Sequence, residues 1–309
     1  MKILVLGGNR FIGRSIVANL QSARPQSIGL QSKNITVLVG GRKPAKAGDV
    51  FIRMQEMQIM ADWLPMLQGV DVVVNSVGIL RERKNETYEQ VHKLAPTALA
   101  QACARLNIRL LHISAIGLSQ QAKSNFIRSK LAGEQGVLAS GAQAIIVRPS
   151  LLDGVEGSGG EGYGAKWFRR VAKWPVQFVM RSNGVVAPLQ VTDLGEAVAN
   201  LCQMDFECLP KVIELGGNNI LTIPQYLQTL RASDASDAAL QIAMPKILVR
   251  LASHIFDVLA WTPLSFGHFE LMQGYNAPVV NMLPILLGRK PAGVSVNLKL
   301  NMNCLSASA

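Results

Sequence analysis

The apolar positions of this chain fall into strand-length runs separated by stretches of helical period. KILVL at 2–6 is aliphatic, a glycine turn GGNRFIG follows, and Ile12, Ile16, Val17 and Leu20 recur at helical spacing. The alternation continues through ITVLVGGR, LPMLQGVDVVVNSVGIL and ALAQACARLNIRLLHISAIG. Strands that alternate with helices in this way predict an α/β fold built on a doubly wound parallel sheet. Residues 1–150 are expected to form a nucleotide-binding core to which 185–220 return, and 151–184 with 221–309 a smaller C-terminal α/β lobe.

In such a sheet ligands gather at the carboxyl ends of the strands, which here carry Gly7, Arg42, Asn75, Ser114 and Arg148. A strand, a glycine turn and a helix N-terminus present backbone amides to a pyrophosphate. Gly7 suits the tight bend and Gly13 the close helix-to-strand packing, with Gly8, Asn9, Arg10, Phe11 and Ile12 between them. Arg10 stands where the pattern G-x-x-G-x-x-G has its middle glycine, so its side chain must lie aside or itself reach a phosphate. An ordinary strand-to-helix connection would carry the same glycines. The second strand ends in Arg42 and Lys43, without the acidic residue that binds the ribose hydroxyls of NAD. Cations there accommodate a 2′-phosphate, so NADP(H) is expected in preference to NAD(H).

The chain has 309 residues, of which 49% are hydrophobic and 17% charged, which fits a folded globular protein and excludes a disordered one. Its four cysteines, Cys103, Cys202, Cys208 and Cys304, are scattered and predict no metal site. The apolar run after Met1-Lys2 is too short for a signal peptide, and ILVRLASHIFDVLAWTPL is interrupted by Arg250, His254 and Asp257, so a cytoplasmic protein is expected. The formal net charge of +11 predicts attraction to an anionic partner: nucleotide phosphate, a membrane surface or nucleic acid.

The ordered set GGNRFIG, GVDVVVNSVGIL, LLHISAIG, FIRSK, IIVRPSLLDG, PLQVTDLGEAVANL and IELGGNNILT resembles the extended and atypical short-chain dehydrogenase/reductase superfamily. VVNSVGIL with VHKLAP and IRSKLAGE looks most like the branch of the nucleotide-binding accessory subunit of respiratory complex I and its bacterial relatives. The match runs from residue 2 to about 222. It implies a Rossmann core, the phosphate turn at Gly7 and Gly13, a 2′-phosphate contact at Arg42, and a wall near adenosine and ribose at Val77 and Gly78. It also makes Ser114 the serine after the fifth strand and Lys130 the lysine that binds the nicotinamide ribose. In active members a tyrosine four residues before that lysine moves the proton; here the position is Phe126, which has no hydroxyl. Tyr88, His92, Ser114, Ser124 and Tyr163 are the groups that could stand in, although none occupies the matching position.

Beyond the strand IIVRP lies DGVEGSGGEGYG, a glycine-rich candidate lid or a plain surface loop. AKWFRRVAKW, residues 165–174, then segregates Lys166, Arg169, Arg170 and Lys173 from Trp167, Phe168, Val171 and Trp174. Such a basic amphipathic helix either lies on an anionic membrane or buries its tryptophans in the small lobe. Residues 241–290 are apolar enough to pack on that lobe or to meet a protein partner. The reading is thus an NAD(P)(H)-binding protein of weak or no catalytic activity, cytoplasmic and in part peripheral at the inner face of the membrane, with a respiratory complex as a candidate partner. A reductase, epimerase or dehydratase acting on a small substrate is the alternative. A nucleic-acid binder is held last, because aromatic residues are only 6% and no RNA motif is present.

Overall fold

The computed structural model describes residues 1–22, 34–42, 49–154, 162–180, 182–233, 238–245, 247–252 and 265–294. Lys43, residues 155–161 of the glycine-rich segment, His254, Trp261 and Cys304 lie outside these, as does the side chain of Tyr163.

Seven parallel strands form the core sheet: β1 (Lys2–Leu6), β2 (Thr36–Gly41), β3 (Val50–Phe51), β4 (Val72–Asn75), β5 (Arg109–Ile113), β6 (Ala144–Pro149) and, from later in the chain, β11 (Val212–Leu215). Their order is β3-β2-β1-β4-β5-β6-β11, so the strand order reverses between β1 and β4. That reversal opens a crevice at the carboxyl ends, where Gly7 follows β1 and Ser76 follows β4. The consecutive apolar runs are explained by burial on both faces. Ile3, Val5, Val72 and Val74 pack beneath α1 (Phe11–Gln21) and α6 (Val191–Leu201), while Leu4, Leu6 and Val73 meet Trp63 at the end of α2 (Met60–Trp63) and Leu99 of α3 (Ala95–Leu106). Helix α4 (Asn125–Ala139) lies beside α3, preceded there by a π-helical stretch Glu89–Leu94.

The remaining elements are short. β7 (Leu152–Asp153) pairs with β10 (Leu189–Gln190), while β9 (Val185–Val186) lies between β12 (Leu221–Thr222) and β14 (Tyr275–Asn276). β8 (Val176–Met180) pairs in parallel with β13 (Leu240–Met244). Helix α5 (Tyr163–Ala172) packs on α7 (Ile223–Ser233), with Phe168 edge-on to the buried Tyr226 at 5.5 Å. Helix α8 covers 247–252, and α9 (Phe266–Gln273) and α10 (Leu283–Leu287) follow.

Of the two alternatives for the 165–174 segment neither holds alone, and one expectation, that Arg169 is a surface cation, needs correction. The apolar face of α5 is partly used within the fold, since Ala165, Phe168 and Ala172 are buried. Its cations are also not equivalent, because Arg169 Nη2 donates to Asp153, a fully buried carboxylate, at 2.7 Å. An unpaired charge there would cost several kcal/mol, so Arg169 belongs to the interior, and Lys166 and Arg170 remain exposed on the solvent face. Among the described residues no helix is long and apolar enough to cross a membrane.

Candidate functional site

The phosphate turn is built by backbone geometry. Gly7 has φ +77°, a conformation glycine adopts without strain, and its carbonyl accepts from Arg10 N at 2.8 Å. A Cβ on Gly13 would lie 2.7 Å from Gly8 Cα and collide with the Gly7 carbonyl, so only glycine lets α1 begin this close to β1. Arg10 is the extended residue before α1, with its side chain exposed and no cap bond made. Among the described residues no side chain caps the first turn of α1, whose amides favour an anion. Phe11 packs between the two ends of the glycine-rich segment: a Cβ on Gly154 or Gly162 would lie within 2.8 Å of its ring. Gly8 sits against Val39 and Val17, and Asn9 beside Gly41.

Arg42 lies at the carboxyl end of β2 but is not a bare cation: its Nη1 is 3.4 Å from both carboxylate oxygens of Glu86. Across the crevice, Asn75 shapes the turn after β4. Its Oδ1 accepts from Val77 N at 3.1 Å, which leaves the amide nitrogen to donate to His112 Nδ1 at 3.1 Å. The neutral His112 ring therefore carries its proton on Nε2. Gly78 brings the turn close to chemistry, since a Cβ there would lie 3.7 Å from His92 Nε2 and 3.8 Å from Lys130 Nζ.

Around Lys130 the structure assembles groups from three distant segments. Burial pulls the lysine down to about 8, opposed by the nearby Glu134 carboxylate. Glu134 is itself buried and neutralised by Arg148, whose Nε donates to it at 3.0 Å. His92, His112 and His268 are all held neutral: burial lowers each, and the Lys130 charge adds to it. His112 falls to about 3 and His268 to about 4. Arg81 contributes to the lowering of His268 after burial.

Phe126 is buried at the centre of this group. Its ring lies 4.9 Å from that of His268, 5.5 Å from His92 and 5.6 Å from Tyr88. The stand-ins considered from sequence are mostly committed elsewhere. Tyr88 donates its hydroxyl to Leu80 O at 2.9 Å and stacks on His92. His92 Nε2 accepts from Ile79 N at 3.1 Å, so Nδ1 carries the proton toward Ser129 Oγ, which in turn donates to Phe126 O. Ser124 caps α4 by accepting from Ile127 N. Ser114 differs: its hydroxyl is buried and has no hydrogen-bond partner among the described residues. An orphaned hydroxyl at the carboxyl end of β5 is open to a bond from a ligand or a water.

His112 and His268 were not singled out from the sequence. His268 comes from α9, which docks on the start of α4: Glu270 accepts from Lys123 N and Ser124 N at 2.7 and 2.9 Å, and a Cβ on Gly267 would lie 2.8 Å from Phe126 Cβ. His268 Nδ1 accepts from Ser265 N at 3.2 Å, so a neutral ring keeps its proton on Nε2 and can act as a donor. The only local signal is the Ser265-x-x-His268 spacing of a helix start, which says nothing of Phe126. Among the described residues no group of histidine, cysteine and carboxylate side chains could hold a metal ion.

Comparison with known proteins decides the family. Residues 3–206 match the model of the NAD dependent epimerase/dehydratase family. The chain belongs to that family. Its nucleotide is accordingly a nicotinamide dinucleotide, which the phosphate turn, the orphaned Ser114 and the half-buried Lys130 fit. Over 217 residues it is 26% identical to the mouse mitochondrial NADH dehydrogenase [ubiquinone] 1 alpha subcomplex subunit 9, covering 70% of this chain and 56% of the mouse protein. It spans about half the length of the curated relatives it matches. In solved structures the fold is similar to an Escherichia coli NADPH-dependent quinone oxidoreductase complexed with NADPH, at TM-score 0.67 and 17% identity over 94% of this chain and 96% of that one. It is also similar to a UDP-glucuronic acid 4-epimerase from Bacillus cereus in complex with NAD, at TM-score 0.62 and 16% identity over 95% of each chain.

Proposed function

We propose that this chain holds NADP(H) and catalyses weakly or not at all, acting as an accessory factor at a membrane or respiratory complex. The observation that carries the reading is Phe126, buried where the family's proton-transfer tyrosine would stand while Lys130 remains within reach of Gly78. When bound, the dinucleotide would supply or accept a hydride. Gly7 and Gly13 shape the turn that holds its pyrophosphate, Lys130 and Ser114 bind toward the nicotinamide ribose, and Arg42 meets the 2′-phosphate. No hydroxyl at position 126 moves a proton. The name of the mouse relative is consistent with a respiratory-complex setting, and 241–290 would supply the protein contact.

A membrane role is supported by the second lobe. β8 and β13 pair with Val176 beside Leu240 and Phe178 beside Ile242, and all four side chains are exposed. Trp174, Ile247 and Leu251 are exposed as well, with Lys166 and Arg170 on neighbouring α5. An apolar ribbon with cations nearby suits the boundary of an anionic bilayer. A second reading, an NADP-dependent reductase, epimerase or dehydratase, is favoured by one observation: the His268 ring lies 4.9 Å from that of Phe126, and with Nδ1 accepting from Ser265 N its Nε2 is a donor. Calorimetric titration tests the holding function. NADPH should bind at least about tenfold more tightly than NADH, about 1.4 kcal/mol. Equal affinities would remove the NADP(H) preference, and binding of neither would remove the reading.

A further inference from the structure

The carboxyl ends of β2 and β3 and the turn at 83–86 enclose an open cleft of about 670 Å³, lined by Arg42, Arg53, Glu56, Lys84 and Asn85 among others. The turn is closed by two backbone bonds, Arg83 N to Glu86 O at 2.9 Å and Glu86 N to Arg83 O at 3.0 Å. It places Lys84 and Asn85 at the tip and directs the Glu86 carboxylate onto Arg42, with both oxygens 3.4 Å from Nη1. Glu86 is only 12% exposed, against 43% for Arg42, so the carboxylate is the more desolvated partner of the pair. Arg53 makes a surface ion pair with Glu56 at 3.0 Å, both side chains about half exposed. Such a pair is worth little and is readily exchanged.

We propose that Glu86 sets the dinucleotide selectivity of this chain by competing with a 2′-phosphate for Arg42, and that Arg53 and Lys84 complete the phosphate receptor. The inference rests on the NADP(H) reading above and names residues that reading did not use. A phosphate monoester carries a charge of roughly −1.5 to −2 near neutral pH, so it attracts Arg42 more strongly than one carboxylate does. Its arrival nevertheless strips a largely buried Glu86 of its partner and sets two anions side by side. Glu86 thus opposes NADPH twice, once by holding Arg42 and once by repulsion. Arg53 and Lys84 offset this by bringing two further cations to the same cleft. NADH carries no 2′-phosphate and leaves the Arg42–Glu86 pair intact.

The test is calorimetric titration of the full chain with 2′,5′-ADP, 5′-AMP, NADPH and NADH. The variants are Glu86→Gln and the double substitution Arg53→Gln with Lys84→Gln. Glu86→Gln should tighten 2′,5′-ADP and NADPH by about tenfold, while 5′-AMP and NADH stay within about twofold. The double variant should weaken 2′,5′-ADP by about tenfold and leave 5′-AMP unchanged. Unchanged 5′-AMP binding also reports that each variant is folded. If Glu86→Gln leaves 2′,5′-ADP binding where it was, the competition is wrong; if the double variant does, the receptor is wrong. A native chain without preference that gains one in Glu86→Gln would overturn the NADP(H) reading and support the gate. Equal affinities in both would overturn the two together.

Discussion

The two ends of the crevice are built in different ways. The phosphate end is one continuous segment, Gly7 to Gly13, whose function lies in backbone shape and in the absence of two Cβ atoms. The proton-transfer end is gathered from Gly78, His92, His112, Phe126, Lys130 and His268, held by hydrogen bonds that cross 13 to 147 positions of sequence. Holding a dinucleotide is therefore a local property, and reacting with it a tertiary one. On the proposed reading, this chain keeps the first and lacks part of the second through a single side chain, Phe126.

The contrast can be broken most sharply at Gly13. A valine there must push against the Gly7 carbonyl and Gly8, and NADPH binding should fall by at least about a thousandfold, roughly 4 kcal/mol. Titration of the purified variant, with circular dichroism to report its fold, checks this; retained binding would mean that the turn does not hold the nucleotide.

The other end responds to acid. His112 is fully enclosed and sits at about 3, well below its ordinary 6.5, because burial and then Lys130 oppose its charge. The unfolded chain therefore takes up the proton first, so stability is full above about 6.5 and is lost as pH falls toward 3. Between pH 6.5 and 5 His112 alone should cost about 2 kcal/mol, with His92 acting in the same direction. Urea unfolding across this range measures it, and His112→Gln should flatten the slope. A pH-independent midpoint would contradict the buried neutral cluster.

Arg42→Ala is expected to cost NADPH about tenfold and leave NADH nearly unchanged, since it removes the 2′-phosphate contact and leaves the Glu86 carboxylate facing that phosphate, neither of which NADH meets. The smallest effect lies furthest from the crevice. Arg170→Gln should weaken binding to anionic vesicles by about 1 kcal/mol at low salt and by less at high salt. Co-sedimentation that is identical for the two proteins would leave α5 as a helix of the lobe only.

Much of this architecture was legible in the sequence because its signals are short-range. Consecutive aliphatic runs gave β1, β4 and β5, helical spacing gave α1, and the G-x-x-x-x-x-G turn gave the phosphate end. Ion pairs over long separations were not legible: Arg169 reads as a surface cation until Asp153 is seen beneath it, and Arg42 as a bare one until Glu86 is. Lys130 and Phe126 were visible in FIRSK, four residues apart on one helix face. His268 was invisible for the opposite reason. It reaches Phe126 only because Glu270 and Gly267 dock α9 onto α4.

The central claim is that the nucleotide end is complete and the proton-transfer end is not. Its most direct test is the oxidation of NADPH by the native chain, followed at saturating NADPH over a panel of carbonyl, quinone and sugar-nucleotide acceptors. A tyrosine acid contributes about two to four orders of magnitude, so turnover should stay at or near background although NADPH is bound. Robust turnover of any acceptor, lost in His268→Gln, would contradict the account and make His268 the donor that Phe126 cannot be.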